Sequence, residues 1–200
     1  MNAEIREGIP VLAPPGAGLP RLELIIVRLA FGWLRRRHTR EQAAELFRRE
    51  RDVILRLASR CDPESASRPV LIDRLRGMED SSRFWSVFMV IDHLRIVNRG
   101  ISEVIRLLGR GQTPARQLRI ADVKPRPLAD QKVTGEFEQA CARFERHAAK
   151  LSDLRTALRY AHPWFGPLDA SGWHFLAGFH MQLHRRQIEL ILRHLSPDRS

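Results

Sequence analysis

The sequence predicts an all-α domain, and three observations support this prediction. The chain has 200 residues, of which 44% are hydrophobic and 28% charged, so it can bury the core of one domain. Apolar residues recur about every 3.6 positions over long segments, and the alternation typical of exposed strands is nearly absent. Helix-capping and helix-breaking residues separate these segments. We expect five long helices in a single domain over residues 20–196, preceded by a flexible arm over residues 1–19.

The first helix is predicted from about Pro20 to Arg37. Its apolar residues share one side at helical spacing: Leu22, Ile25, Ile26, Leu29 and Trp33. Thr39 and Gln42 then have the spacing of a capping box, in which the threonine hydroxyl accepts from the glutamine amide. A second helix is expected to start here and run to about Arg60, although the two segments would also fit one kinked helix.

The middle of the chain is predicted to hold a loop, a third helix and a long connection. Residues Cys61 to Pro69 are rich in loop-forming side chains. The third helix runs from about Ser82 to Leu108 and ends at two nearby glycines. The proline-rich connection Gly111–Asp130 that follows is too long for a tight turn between antiparallel neighbours.

Two more helices complete the predicted fold. The fourth runs from about Gln131 to Tyr160, where the sequence HPWFGPL breaks the helical pattern. The fifth starts near Asp169 or Ser171, because either side chain can cap a helix N-terminus. It continues to about Leu195, just before a proline.

The positive charge of the chain comes almost entirely from arginine. The formal net charge is +11, the densest basic run spans Arg35–Arg40, and lysine occurs only at Lys124, Lys132 and Lys150. This imbalance indicates codon bias toward arginine, and acidic residues are interleaved throughout the chain. Solvated helix faces are therefore the preferred interpretation, and a basic nucleic-acid-associated protein is kept as an alternative.

Compartment and membrane association are predicted from the apolar segments and the cysteines. The N-terminal arm lacks the continuous apolar segment of a signal peptide. The apolar window Leu22–Leu34 is interrupted by Glu23 and Arg28, and it is shorter than the roughly 20 residues of a membrane span. Cys61 and Cys141 do not have the spacing of a metal or redox motif. We expect a cytoplasmic protein with free thiols and no membrane partner.

Two histidines lie on the apolar side of the predicted fifth helix. With about 100° per residue, His180 and His184 fall in the middle of an apolar arc, and Arg185 and Arg186 lie opposite. Four residues apart, two imidazoles share a helix face and can converge on one metal ion. This pair alone is a weak signal, because buried histidines often only donate and accept hydrogen bonds within a core.

A third histidine favours the metal. His93 lies near the centre of the apolar arc of the third helix, whereas Arg95 and Arg99 face elsewhere. Two helices thus direct imidazoles inward near the middle of their lengths, as expected if the rings meet in one layer. Three unsatisfied polar rings in an apolar layer would cost on the order of 1–3 kcal/mol apiece. A bound metal ion is the partner that we expect.

These motifs, taken in order, resemble those of the DinB-like (YfiT-type, damage-inducible) superfamily. The matching patterns are W-x7-H-L from Trp85 to His93, HP-x-FG-P-L from His162, and W-x6-H-x3-H-x2-Q-I from Trp173 to Ile188. The resemblance implies a four-helix bundle with up-down-down-up connectivity. Its long crossover joins the second and third bundle helices, which places it in the connection Gly111–Asp130.

The resemblance also implies a metal site. The three metal-binding histidines of the superfamily correspond to His93, His180 and His184, and its members bind divalent ions such as zinc, nickel, iron or manganese. The position before the last ligand, often another histidine in the superfamily, is Leu183 here. The additional helix Leu22–Arg37 is not part of the basic bundle, and we expect it to extend the bundle or to form a homodimer contact.

Characterised members of the superfamily suggest the chemistry. They include enzymes that transfer low-molecular-weight thiols to electrophiles or use a thiol cofactor in isomerisation. The resemblance therefore implies a metal-dependent thiol S-transferase or isomerase with a small-molecule thiol and an electrophile as partners. A non-catalytic bundle in stress response, either stabilised by metal or free of it, is the alternative.

Three further side chains are assigned roles from their positions on the predicted helices. His147 lies on the inward stripe of the fourth helix and is the candidate catalytic acid or base, a fourth ligand, or a core residue. Gln187, one turn beyond His184, is expected to hydrogen-bond a metal ligand or to satisfy the core. Asp92 is expected in a surface ion pair with Arg95 or Arg99. The remaining histidines of this region are expected to stabilise a turn or to be structural or exposed: His162, His174 and His194.

Overall fold

A computed structural model describes residues 10–196 of the chain, and these contain six helices. The helices are α1 Arg21–Arg37, α2 Arg40–Ser59, α3 Pro63–Ser67, α4 Val87–Leu108, α5 Lys132–Ala149 and α6 Ala170–Leu195. The four long helices α2, α4, α5 and α6 pack against one another as a bundle, with α4 between α5 and α6 and α2 between the same two. The apolar side chains between them are fully buried: Phe47, Ile54, Ile91, Phe137, Phe144 and Ile188. The predicted all-α four-helix bundle with an additional N-terminal helix is confirmed.

Local capping signals set the helix starts. The Thr39 hydroxyl accepts from the Gln42 amide, and the Gln42 side chain accepts from the Thr39 amide, so the predicted capping box is present. His38 has an extended backbone, which makes α1 and α2 two helices and not one kinked helix. At α6 the cap is Asp169, whose carboxylate accepts from the Gly172 amide.

Two predictions in the middle of the chain were wrong. The loop predicted at Cys61–Pro69 contains α3, because Asp62 caps its N-terminus and Pro63 suits its first position. The third helix starts at Val87 and not at Ser82, because Ser86 caps it. The preceding residues Phe84–Trp85 form strand β2, which pairs antiparallel with strand β1 at Val70–Leu71.

The predicted fourth helix is also too long, since α5 ends at Ala149 instead of Tyr160. The reason is a tertiary contact: the Arg40 guanidinium donates to the carbonyls of Ala148, Leu151 and Ser152 and so satisfies the end of the helix. The apolar residues beyond it therefore lie in a loop. A hairpin follows, in which strand β3 at Tyr160–His162 pairs with strand β4 at Gly166–Leu168.

Helix α1 packs on the outside of the bundle through one buried aromatic side chain. Phe31 is buried and its ring contacts Phe165, Phe175 and Phe179. Ion pairs also hold the helix, namely Arg35 with Asp169 and Glu23 with Arg74. The apolar side predicted from the sequence faces solvent, with exposed fractions of 52–70%. These exposed residues are Leu22, Ile25, Ile26, Leu29 and Trp33.

The described part of the N-terminal arm, residues 10–19, is hydrogen-bonded to the loop before α4. The Ala13 amide donates to Asp80, and the amides of Gly16 and Gly18 donate to Glu79. Both glycines have positive φ, a conformation that other residues rarely adopt. Residues 1–9 of the predicted arm lie outside the described residues. No helix among residues 10–196 is long and apolar enough to cross a membrane.

Candidate metal centre

Three imidazoles meet between α4 and α6. His93 comes from the middle of α4, and His180 and His184 lie one turn apart on α6. The Nε2 atom of His180 is 3.3 Å from Nε2 of His93 and 3.1 Å from Nε2 of His184. One ligand atom from each of the three rings lies within 4.8 Å of the others. The packing of two bundle helices thus brings together residues that are some ninety positions apart in the chain.

The hydrogen bonds of two rings orient their free nitrogens toward this point. His93 donates from Nδ1 to the Val123 carbonyl at 2.6 Å. His184 donates from Nδ1 to Oε1 of Gln187 at 2.6 Å, and Nε2 of Gln187 donates to the Ser82 carbonyl at 2.7 Å, which fixes the amide orientation. A ring that is protonated on Nδ1 carries its lone pair on Nε2. His93 and His184 are therefore held in the tautomer that a metal ion requires.

The spacing of the three rings fits a divalent ion. Two imidazole nitrogens about 2.0–2.1 Å from one ion at the tetrahedral angle are about 3.3–3.4 Å apart, close to the 3.1 and 3.3 Å separations found here. The Nδ1 atom of His180 is buried and has no hydrogen-bond partner among the described residues. No hydrogen bond of the described residues fixes the tautomer of His180 through Nδ1, and a cation between the Nε2 atoms would pair with the lone pairs of His93 and His184.

Burial keeps the three imidazoles neutral. It lowers the pKa of His184 to about 4. It also lowers the pKa of His93 and of His180 well below the usual value, and repulsion from the neighbouring imidazoles adds to the effect. Neutral imidazole is the form that binds metal ions. The rings are thus ready to act as ligands at neutral pH, without first losing a proton.

The loop before α4 and the link before α5 close one side of the triad. The Trp85 ring packs against His93 and His184, with centroid separations of 5.1 and 6.1 Å. The Lys124 ammonium lies 5.2 Å from the centroid of the Trp85 ring and donates to the hydroxyls of Ser81 and Ser82. Sequence reasoning did not identify Lys124 as a site residue. The sequence holds only three lysines, which is the one signal that sets it apart.

A cavity of about 230 Å³ opens beside the triad, and all three histidines line it. Its other walls come from α1, the loop before α4, α4 itself, the link before α5, the β3–β4 hairpin and α6. Leu183, which directly precedes the last histidine of the triad, is one of the lining residues. The imidazoles therefore face a space that a small molecule could enter.

Of the polar residues assigned roles from the sequence, Gln187 and His162 lie at the site and His147 lies elsewhere. Gln187 contacts His184, as described above, and is fully buried. His147 does not line the cavity: its Nδ1 is 2.8 Å from the Ser102 hydroxyl on the other side of α4. The structure thus separates the candidate catalytic acid or base His147 from the triad. His162 lines the cavity, and its Nδ1 accepts from the amides of Trp164 and Phe165, which is the expected turn-stabilising role.

Asp92 forms an ion pair, but the prediction that it lies at the surface was wrong. Its side chain is fully buried and accepts from Arg95 and from both the backbone and the side chain of Arg126. These hydrogen bonds outweigh the cost of burial and hold the pKa of Asp92 below its usual value. Periodicity placed Asp92 on a polar edge, but the link before α5 covers that edge.

The other two histidines have structural surroundings. His174 is buried and stacks on Phe144, with ring centroids 5.4 Å apart, and burial lowers its pKa to about 4. His194 is exposed and its Nδ1 donates to the Leu190 carbonyl. Neither belongs to the triad, as expected from their positions on the predicted helix.

Comparison with known proteins gives a family and a structural neighbour. The family model of the DinB superfamily matches residues 46–188, which include the triad. The crystal structure of TT2238, a four-helix bundle protein, is 25% identical and superposes with a TM-score of 0.55. The similarity covers 76% of this chain and 98% of that chain. No curated protein matches the sequence significantly.

Proposed function

The chain belongs to the DinB superfamily, and we propose that it binds a divalent metal ion through His93, His180 and His184 and acts as a transferase on a low-molecular-weight thiol. The observation that carries the proposal is the convergence of three Nε2 atoms, two of them on rings whose tautomer is already fixed. Zinc, nickel, iron and manganese are the candidate ions.

An enzyme is favoured over a purely structural metal site by the ligand set and by the cavity. Three protein ligands leave a coordination position for another molecule, whereas structural zinc sites use four. The cavity beside the triad gives a small molecule access to that position. A bound divalent ion would supply a Lewis acid that lowers the pKa of a coordinated thiol or water.

The surrounding residues have separate tasks in this proposal. Val123 and Gln187 hold two of the rings, and Trp85 covers them on one side and limits access of water. Among the described residues that line the cavity, Glu79 is the one with a carboxylate. This carboxylate already accepts hydrogen bonds from two backbone amides and from the Ser81 hydroxyl. We therefore assign no protein side chain as a general base.

A thiol-transfer assay tests the enzymatic part of this proposal. Untagged protein is stripped with a chelator, reloaded with zinc, nickel or manganese, and assayed with a panel of small thiols and a chromogenic aryl halide. Metal-dependent transfer that is lost in His180→Ala and kept in His194→Ala supports the proposal. If the metal only raises the unfolding temperature and no thiol is transferred, the site is structural, which is the alternative of a metal-stabilised bundle.

Nucleic-acid binding is less well supported, because the densest basic run serves the fold. Within Arg35–Arg40, Arg35 pairs with Asp169, Arg37 lies over the Trp33 ring, and Arg40 binds three carbonyls. Arginines committed in this way are not free to contact phosphates. Retention on DNA at about 0.2 M salt would contradict this view, because charge-only binding weakens steeply there.

We further propose that α1 mediates a homodimer and that the protein is cytoplasmic. Five large apolar residues on one side of α1 face solvent, which is typical of a surface that binds a partner. Light scattering tests this: Ile26→Asp should shift a dimer to a monomer, and a wild type that is monomeric at all concentrations would contradict it. The free thiols of Cys61 and Cys141 suit a reducing compartment.

A further inference from the structure

The cavity beside the triad has an apolar wall on most sides. Aromatic and aliphatic side chains from α4, the link before α5, the β3–β4 hairpin and α6 contribute to it. They include Ile101, Leu118, Trp164, Phe165, Leu176 and Phe179. A ligand that fills this space gains from contact between hydrocarbon and these side chains. Its body is therefore expected to be aromatic or branched aliphatic.

One end of the cavity carries an ammonium group with an unused donor. Lys124 donates to the Ser81 hydroxyl at 2.7 Å and to the Ser82 hydroxyl at 3.2 Å. An ammonium has three N–H donors. The carboxylate of Glu79 forms an ion pair with Lys124, but at 3.9 Å it is too far away to accept a hydrogen bond. The side chain of Lys124 is only 20% exposed. The third donor is thus available to an acceptor in the cavity.

The remaining charges of the cavity favour an anion. Its lining residues include the exposed arginines Arg76 and Arg186 in addition to Lys124, whereas a third lining arginine, Arg119, is paired with Asp122. Glu79 is the acidic residue among them, and its carboxylate is bonded by the amides of the N-terminal arm. A cavity lined by these charges attracts anions from solution and disfavours cations.

From this arrangement we infer that the cavity binds an amphipathic carboxylate, with its apolar body against the aromatic wall and its carboxylate on the Lys124 ammonium. In the proposed function, on which this inference rests, that molecule is the electrophilic substrate. Lys124 then sets the orientation of the substrate relative to the triad, because the ammonium and two of the imidazoles contact the same Trp85 ring.

Calorimetric titration with a matched pair of probes tests the inference without any need for activity. The probes are 2-naphthoate and its neutral analogue 2-naphthalenemethanol, and the protein is first stripped of metal. We expect 2-naphthoate to bind at least tenfold more tightly than the alcohol. Lys124→Met should remove this preference and leave the affinity for the alcohol unchanged, which shows that the cavity is intact. Lys124→Arg should keep most of the preference, and Lys132→Met, an exposed lysine on α5, is the control.

The outcomes separate this inference from the proposed function. Lys124-dependent binding of 2-naphthoate in a protein that takes up no metal would support the cavity site and contradict the metal centre. Equal binding of both probes, or a Lys124→Met variant that loses both equally, would overturn the inference. So would binding of 2-naphthoate that appears only after zinc is restored, since the carboxylate would then be a metal ligand.

Discussion

Two buried polar clusters lie on neighbouring residues of α4, and they differ in how their hydrogen bonds are satisfied. Asp92 is surrounded by donors, from Arg95 and from the backbone and side chain of Arg126. Next to it, His93 directs an acceptor toward two other imidazoles, and Nδ1 of His180 has no partner among the described residues. Buried polar groups that serve only the fold are normally satisfied. The Asp92 cluster is thus a closed structural element, whereas the polar atoms of the triad are not all satisfied by the described residues.

The two clusters are connected through the link before α5. Arg126 binds Asp92, and Val123, three residues earlier, accepts from His93. The closed cluster therefore holds the chain segment that orients a ligand of the open one. Acidification and substitutions in either cluster should test whether the Asp92 cluster serves the fold and the triad serves ligand binding.

Acidification of the metal-free protein should cause the largest loss of stability, and it should separate the contributions of the two clusters. Burial lowers the pKa of His174 and His184 to about 4, whereas the unfolded chain binds these protons near pH 6.5. The stability of the metal-free protein is then fully present above pH 6.5 and is lost as the pH falls toward 4. We expect about 1 kcal/mol per buried histidine between pH 6.5 and 5.5, measured by urea unfolding.

The stabilisation by Asp92 is also lost on acidification, but at lower pH. Its lowered pKa means that its stabilisation is present above the unfolded pKa of about 3.9 and is lost only below it. An Asp92→Asn variant should therefore lose stability on acidification to pH 5.5 as steeply as the wild type. A metal-free wild type whose stability is constant from pH 7.5 to 5.5 would contradict neutral buried imidazoles.

Asp92→Asn should have the next largest effect, on stability at neutral pH. The substitution removes the charge from a cluster whose Arg95 is largely buried and whose Arg126 is half exposed. We expect a loss of roughly 2–3 kcal/mol, below the 3–5 kcal/mol of a fully buried pair because water screens Arg126. Asp153→Asn, which alters an exposed pair with Arg155, is the control and should leave stability nearly unchanged.

Gln187→Leu should weaken metal binding more than it affects the fold. The glutamine fixes the ring of His184 and is itself held by the Ser82 carbonyl. Loss of such a partner typically reduces metal affinity 10–100-fold. Competition with a chromophoric chelator measures this. An unchanged affinity would mean that the hydrogen bond does not orient the ligand.

The smallest effect is expected at His147. Its imidazole bonds Ser102 and does not reach the cavity. His147→Ala should leave the metal content and any thiol-transfer rate unchanged and cost about 0.5–1.5 kcal/mol of stability through the lost hydrogen bond. A large fall in the transfer rate at full metal content would restore the prediction that His147 is a catalytic acid or base.

Local signals in the sequence were sufficient for much of the fold. The caps at Thr39 and Asp169 act within four residues, so their helices start where predicted. The end of α5 depends on Arg40, over a hundred residues away in the chain, and no local pattern reveals it. Helix α3 is a different case: its Asp62 cap and its first-position Pro63 are local signals, but they were interpreted as a loop because the composition of the segment is that of a turn.

The residues of the candidate site were likewise predicted only in part. Helical periodicity placed His93, His180 and His184 on inward faces, and the structure brings them together. The residues that complete the site, Val123 and Lys124, come from a link without periodicity, and their positions depend on tertiary packing. Sequence patterns therefore predicted the candidate ligands but not the groups that orient and surround them.

A zinc titration of metal-stripped, untagged protein tests the proposed metal centre most directly. We predict one zinc ion per chain for the wild type and for His194→Ala, which changes an exposed histidine outside the triad. His180→Ala should bind zinc at least 100-fold more weakly while retaining its helical circular dichroism. A wild type that takes up no zinc, nickel or manganese, or a His180→Ala variant that binds zinc as tightly as the wild type, would contradict the proposed metal centre.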